Sequence, residues 1–356
     1  MEFGISFDTH VSKWDLVRYA EELGYERAWV ADSQMIWSDC YATLALAAVN
    51  TRRIKLGAGV AVAGTRIAPV TAHSIASINQ LAPGRTFLAI GTGHTAMRAM
   101  GQAPMPIREF GEYLRVVRKL LNGEAVDYTY NGRTHEIQFL HRDRHYINLD
   151  DRIPIYVAAN APKACELAGA HGDGWVVAGG LNPADRLSQV QAGARAAART
   201  LPRTFHIATL TTVCILRPGE TLTSERVIEE TGSQVASALH LAYEAWRAHG
   251  RKDAAIPPLF ANLWDDYLKR VAELPEKARA RLVHEGHGTF LQPQERKFVT
   301  PAAIRSTCVV GTPDEVIAQL HAREKAGLRE VILKPPADQQ RKVLRDFAEL
   351  VMPAFH

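Results

Sequence analysis

The chain has 356 residues, with 42 Lys and Arg against 38 Asp and Glu, a formal net charge of +4. Hydrophobic residues make up 47% of it, which excludes general disorder, and no apolar run reaches the ~18 residues that a bilayer span requires. The small basic excess is spread along the sequence, which argues against a nucleic-acid partner. We therefore predict a globular protein with a full core and with neither a membrane nor a nucleic-acid role.

The four cysteines, Cys40, Cys165, Cys214 and Cys308, lie far apart and form no C-x-x-C motif. This spacing predicts neither a disulfide framework nor a zinc knuckle. The chain opens with acidic and polar residues that interrupt any signal-peptide core. We therefore expect a protein of the reducing cytoplasm.

Short apolar runs alternate along the chain with helical patterns. Runs such as KLGAGVAV and FLAIGTG are apolar throughout, as expected for parallel strands that are buried on both faces. The predicted strands are Glu2–Asp8, Ala28–Asp32, Ile54–Val62, Thr86–Gly91, Ile153–Ala159, Gly174–Ala178, Phe205–Leu216 and Glu330–Lys334. The predicted helices are Trp14–Leu23, Tyr41–Asn50, Pro69–Leu81, Arg108–Leu121, Pro162–Ala170, Ala184–Arg199, Pro313–Ala326 and Gln339–Val351.

Eight strand–helix units in a single domain predict an α/β fold of the (β/α)8 TIM-barrel type. The alternative is a doubly wound open sheet. That fold carries a glycine-rich first turn, whereas the first turn here, FDTHVSKWD, contains no glycine.

Two stretches depart from the strand–helix repeat and are predicted insertions. Residues 124–150 contain Asn131-Gly132 between two β-like runs, which predicts a hairpin. Residues 217–300 are helical in pattern and follow the seventh strand. Because barrel active sites lie at the C-terminal ends of the strands, this insertion is a predicted lid over the barrel mouth, with a dimer interface or peripheral packing as the alternatives.

The third strand is rich in glycine, with Gly57, Gly59 and Gly64 near its end. Glycines there indicate either simple tapering of the barrel or close approach of another group to the backbone. The wider segment, LGAGVAV followed by TRIAPVTAHSIASINQLAPGRTFLAIGTG, resembles the bacterial luciferase-like superfamily. WVADS, PIYVAANAPKACELAGAHGDGWVV and VGTPDEVIAQLHAREKAGLREVIL resemble the same family in the same order. The most similar branch contains methylenetetrahydromethanopterin reductase and the deazaflavin-dependent dehydrogenases.

This resemblance implies a flavin or deazaflavin ring at the barrel mouth. The Gly59–Val60 bond matches a non-prolyl cis peptide that forms a bulge behind the ring, and Asp32 matches a position beside the ring. The remaining implied cofactor-binding residues are Thr92, Gly93, Asn160, Ala161, Gly179 and Gly180.

Two positions differ from the sugar-phosphate dehydrogenases of that family. Ser33 stands where they carry a histidine base, and His94 stands where they carry a glutamate proton donor. We therefore predict His94 as the acid/base residue, since an imidazole with an ordinary pKa near 6.5 exchanges protons at neutral pH. The alternative is a histidine that only shapes the pocket. Asp32 and Asp8 complete the predicted catalytic set, and Ser33 belongs to the predicted substrate pocket.

The insertion contains the sequence LVHEGHGTF, with His284 and His287 three residues apart and Phe290 close by. A metal site needs further ligands, and the neighbouring glycines favour a loop. We therefore predict a substrate-contact loop and no metal.

Three functions agree with these features. The first interpretation is a monooxygenase that uses reduced FMN from a separate flavin reductase and acts on a small organic substrate. The alternative is a dehydrogenase or reductase that transfers hydride with coenzyme F420, and the third is a non-catalytic flavin-binding barrel. The resemblance also implies a homodimer.

Overall fold

The computed structural model describes residues 1–178, 182–253 and 256–355. The strands are β1 Glu2–Phe7, β2 Arg27–Val30, β3 Lys55–Val62, β4 Thr86–Gly91, β5 Val126–Tyr130, β6 Arg133–Ile137, β7 Ile155–Ala158, β8 Gly174–Ala178, β9 His206–Ile215, β10 Cys308–Gly311 and β11 Glu330–Leu333. The helices are α1 Asp15–Glu22, α2 Cys40–Asn50, α3 Ala68–Leu81, α4 His94–Ala99, α5 Ile107–Leu121, α6 Pro162–His171, α7 Leu187–Ala196, α8 Glu225–Ala248, α9 Trp264–Glu273, α10 Arg279–Val283, α11 Pro301–Thr307, α12 Pro313–Lys325 and α13 Gln340–Leu350.

Parallel pairing closes the sheet into a barrel. The strands follow the order β1-β2-β3-β4-β7-β8-β9-β11, and β11 pairs back with β1. The predicted (β/α)8 barrel is therefore confirmed. β10 pairs with β9 alone, beyond the ring, through Thr212–Ile215 at the end of that long strand.

The barrel interior is filled by large side chains that point inwards. Trp29, Phe87 and Tyr156 lie in contact there, with ring centroids 4.6–5.6 Å apart. A second, larger apolar cluster lies between the strands and the surrounding helices. This division between an inner and an outer core is the usual construction of the fold.

Both predicted insertions have structure of their own. β5 and β6 form an antiparallel hairpin that turns at Asn131 and Gly132, both with positive φ. The 217–300 region contains α8, α9 and α10 and packs, together with α11 and β10, around a separate apolar cluster that includes Leu239, Tyr267 and Phe298. Among the described residues, no helix is both long enough and apolar enough to cross a membrane.

Candidate functional site

The C-terminal ends of the barrel strands bring most of the predicted site residues to one rim. Asp8 follows β1, Asp32 follows β2, Thr92 follows β4 and Asn160 follows β7. Because all the barrel strands are parallel, residues that follow them share one end of the barrel. Gly179 and Gly180 lie outside the described residues.

An apolar platform lies at this end of the barrel. The pairing of β3 with β4 shifts between Ala58 and Ala61, so Gly59 and Val60 form a bulge. The bond between them is cis, as the resemblance implies. Val60 is half-buried and packs with Ala158 on the aromatic filling of the barrel.

Gly59 is fixed by the barrel interior. The Cβ atom of a side chain there would lie 2.5 Å from Cβ of Trp29, which is closer than two non-bonded carbon atoms can approach. At this position the glycine thus reflects close approach of another group to the backbone, and that group is Trp29 of the barrel itself.

Asp32 is almost fully buried, and both of its oxygens have partners. Oδ1 accepts a hydrogen bond of 2.6 Å from Gln34 Nε2. Oδ2 accepts from Arg66 Nη1 at 2.7 Å and from the Val62 N–H at 3.2 Å. Burial raises the pKa of Asp32, and Arg66 and Val62 offset this only in part. The carboxylate thus connects the end of β3 to the loop after β2. Asp32 therefore acts as a positioning residue.

Asp8 forms an ion pair across the rim. Its Oδ1 lies 3.1 Å from Nζ of Lys334, which follows β11, while its Oδ2 is buried without a hydrogen-bond partner. The same ammonium lies 4.7 Å from the ring centre of Trp37. Trp37 belongs to a turn in which its N–H donates to the carbonyl of Ser33. Lys334 therefore balances the negative charge of the Asp8 carboxylate, and Oδ2 can still accept a hydrogen bond.

His94 begins α4, directly after the rim. Burial, with help from Arg98 and His284, lowers the pKa of His94 to about 4. The expectation that this imidazole titrates near neutral pH is therefore wrong. At pH 7 it is neutral, and it offers one N–H donor and one ring-nitrogen acceptor.

The residues that precede α4 and α6 contribute mainly backbone. Gly93 has a φ of +83° and caps α4. Asn160 uses its side-chain amide twice on Ala178, accepting from its N–H at 3.1 Å and donating to its carbonyl at 3.2 Å. Ala161 is the N-cap residue of α6 and brings no side-chain hydrogen bond. A ligand at this part of the rim therefore meets peptide groups.

The 217–300 region touches the rim at several points. Trp37 Nε1 donates a 3.0 Å hydrogen bond to Thr289 Oγ1, and a side chain at Gly288 would begin 2.6 Å from Cε of Lys334. The ring of His284 lies 6.4 Å from that of His94. His287 is partly buried, whereas Phe290 is 51% exposed. The predicted loop residues His284 and His287 thus lie close to the predicted catalytic histidine.

The profile of the family described as luciferase-like monooxygenase matches residues 10–330. The chain belongs to this family. Both the family and the fold predicted from the sequence are therefore confirmed.

Two curated relatives and one solved structure show where this luciferase-like protein stands. It is 36% identical over 207 residues to a 5,10-methylenetetrahydromethanopterin reductase of Methanolobus tindarius, covering 56% of this chain and 61% of the relative. It is 34% identical over 195 residues to an F420-dependent hydroxymycolic acid dehydrogenase of Mycobacterium tuberculosis, covering 51% of this chain and 52% of the relative. The chain thus matches little more than half the length of these two relatives.

The structure of the coenzyme F420-dependent tetrahydromethanopterin reductase of Methanopyrus kandleri superposes with a TM-score of 0.67. The two chains are 21% identical, and the superposition covers 100% of each. At this level of identity the likeness concerns the fold.

Several residues at the rim of this luciferase-like barrel were missed by the sequence analysis. Arg66, Trp37 and Lys334 surround Asp32 and Asp8, and Glu244 and His240 lie beside the loop histidines. For Lys334 a signal was present, since a lysine that ends a buried strand requires a partner. Nothing local distinguishes Glu244 or His240 from other polar residues of a long helix.

Proposed function

We propose that the protein is an F420-dependent oxidoreductase that transfers hydride to or from a small organic substrate at the barrel mouth. The proposal rests on the apolar platform of Val60 and Ala158. It is supported by the relationship of this chain to an enzyme named as F420-dependent. Such a platform suits one face of a tricyclic ring, since planar aromatic groups bind to apolar surfaces. When bound, the deazaflavin supplies two-electron hydride chemistry.

The rim residues divide the work of holding such a cofactor. Val60 supports one ring face, and Asp32 with Arg66 keeps the bulged strand end in place. Backbone groups at Thr92, Gly93 and the N-terminus of α6 would contact the part of the cofactor beyond its ring. Arg186, whose Nε lies 3.4 Å from the Asn160 carbonyl, supplies a cation suited to a phosphate.

His94, Asp8 and Ser33 then remain to contact the substrate. The neutral imidazole of His94 donates or accepts one hydrogen bond at a substrate oxygen, and the free Oδ2 of Asp8 accepts another. The 217–300 region covers the mouth with Gly288 and Thr289, and Thr289 contacts Trp37 of the rim. This cover excludes water from the reacting groups.

A reduced-FMN monooxygenase is the second candidate. The contact of Trp37 with Thr289 favours it, because a covered, dry pocket is what oxygen chemistry requires. This function needs a separate flavin reductase as partner. With either cofactor we expect a homodimer.

Fluorescence titrations with F420 and with FMN, run on the same preparation, separate these functions. Saturable F420 binding at one site per chain, with at least tenfold weaker FMN binding, is the expected result. Tight FMN binding with oxygen consumption after anaerobic reduction would establish the second candidate instead. Binding of neither would leave a barrel without a redox cofactor.

His94 is tested by His94→Ala with the exposed His249→Ala as control. We expect turnover to fall by about 10²-fold or more, the usual size of such contributions, while cofactor affinity changes less than about twofold. Because the imidazole is already neutral, turnover of the unmodified enzyme should show no step near pH 6.5. Unchanged turnover in His94→Ala would remove this residue from the site.

A further inference from the structure

Three histidines of the 217–300 region converge although the chain separates them. His240 lies on α8, while His284 and His287 lie in the loop after α10. One ring nitrogen from each can be chosen so that all three lie within 4.8 Å of one another. His240 is 1% and His284 3% exposed, so the group is closed off from bulk water.

Several ring nitrogens in this group lack hydrogen-bond partners among the described residues. Nδ1 of His240 and both ring nitrogens of His284 are buried without a hydrogen bond. Nearly all buried polar side-chain atoms in proteins have a partner. His240 and His284 therefore offer ring nitrogens that can still accept a ligand, and both rings lie beside that of His287. A common ligand for such nitrogens is an electron-pair acceptor.

Two of the three rings are held by neighbouring side chains. Nε2 of His240 lies 2.8 Å from Oε1 of Glu295, an oxygen that also pairs with Arg270 at 3.2 Å. Nδ1 of His287 lies 3.2 Å from Oγ of Ser237. A carboxylate or hydroxyl behind a ligating imidazole fixes its tautomer and its orientation.

We propose that His240, His284 and His287 bind one divalent first-row transition-metal ion, with zinc as the reference ion. Imidazole nitrogen suits Zn²⁺, Cu²⁺, Ni²⁺ and Fe²⁺ far better than it suits Mg²⁺ or Ca²⁺. Three protein ligands leave a fourth position open, the pattern of zinc sites that bind a further small ligand. Glu244 lies beside the group, with its Oε1 3.9 Å from Nε2 of His284, and it also pairs with Arg98 and Arg247.

The rings must approach one another to reach bonding geometry. Zn–N bonds of about 2.0–2.1 Å in a tetrahedron place the nitrogens about 3.3 Å apart, whereas here they lie within 4.8 Å of one another. His287 lies between Gly286 and Gly288, both with positive φ. The loop is therefore built from residues that tolerate such torsions.

The other cluster of potential ligands, Glu2, His206 and Glu330, does not have this character. Arg27 already pairs with both of its glutamates, so a cation is present there. The histidine group is the stronger candidate because its three possible ligands are all imidazoles, and ring nitrogens of His240 and His284 have no hydrogen-bond partner in the described part of the chain.

Titration of the chelator-treated full chain with Zn²⁺ alone, followed by calorimetry, tests the site. The expected result is one ion per chain and a rise in melting temperature. His287→Ala should weaken binding by more than about 100-fold, and Glu295→Gln by about 10- to 100-fold, the range for residues behind a ligand. His249→Ala, an exposed histidine just past the same helix, should bind like the unmodified chain.

Equal zinc affinity in His287→Ala and in the unmodified chain would overturn the proposal, as would the absence of binding to the latter. Circular dichroism confirms that each variant is folded, and His284→Gln replaces any that is not. Because no cofactor is present in this experiment, its outcome is separate from that of the F420 titration.

Discussion

Gly93 shows how one residue determines the shape of the rim. Its φ is +83°, and a side chain there would begin 2.2 Å from Cγ1 of Val62. Two separate restrictions therefore act on this position, one on the backbone and one on space. Gly101 carries only the first, since its φ is +73° and nothing lies within 4 Å of its missing side chain.

We predict that Gly93→Ala lowers the free energy of unfolding by about 2–5 kcal/mol. About 1–2 kcal/mol comes from the left-handed backbone, and overpacking against Val62 adds about 1–3 kcal/mol. Gly101→Ala, the matched control, should lose only the backbone part. Urea unfolding of the two variants measures the difference, and equal losses would show that Val62 yields without cost.

The sequence predicted which residues lie at the rim better than it predicted their protonation and hydrogen bonding. The strand ends located Asp8, Asp32 and His94, because a parallel barrel gathers those ends at one place. The pKa of His94 was not predictable, since it depends on burial and on the nearby His284, which lies 190 positions further along the chain. For Asn160, its pairing with Ala178 was likewise invisible in the sequence.

At the scale of elements, Glu21 links α1 to the loop that precedes β3. Its carboxylate accepts hydrogen bonds from the N–H groups of Arg52 and Arg53 at 2.8–2.9 Å. Burial alone would raise the pKa of Glu21, but these N–H donors lower it below its ordinary value of 4.5. The carboxylate therefore stabilises the fold in its ionised form.

We predict that Glu21→Gln lowers the free energy of unfolding at pH 7 by about 1.5–3 kcal/mol, as expected for hydrogen bonds to a charged group. A lowered pKa in the folded state means that the contribution is complete above pH 4.5 and is lost as pH falls through the lowered value. The difference between variant and unmodified chain should therefore shrink below about pH 4. Glu22→Gln, at an exposed neighbouring position, should have little effect at any pH.

The barrel elements were predictable because each has a strong local signal. All eight predicted strands overlap observed ones, and α12 begins at Pro313 with a capping box between Thr312 and Glu315, as its sequence suggests. β10 was missed because it pairs with β9 alone, outside the strand–helix repeat that revealed the other strands. The 217–300 region was predicted only as helical and as a lid, since its apolar cluster is completed by residues that follow it, such as Ile304.

The molecule as a whole consists of a barrel with a second apolar cluster attached at one side of its mouth. Arg98 of α4 joins the two parts, with its Nη1 3.0 Å from Oε2 of Glu244 on α8. The Glu244 side chain is 1% exposed, so it depends on charged neighbours. Without Arg98, only Arg247 at 3.6 Å and His284 at 3.9 Å would remain close to it.

We predict that Arg98→Met lowers the free energy of unfolding by about 3 kcal/mol, because removing one partner of a buried ion pair leaves the other charge uncompensated. Arg18→Met, which breaks an exposed pair with Glu22, is the control and should cost less than about 1 kcal/mol. Urea unfolding gives both values. Since Arg98 lies one turn beyond His94, the first variant should also expose the loop at 284–290 to proteases, whereas an unchanged cleavage pattern would mean that Trp37 and Thr289 hold the loop by themselves.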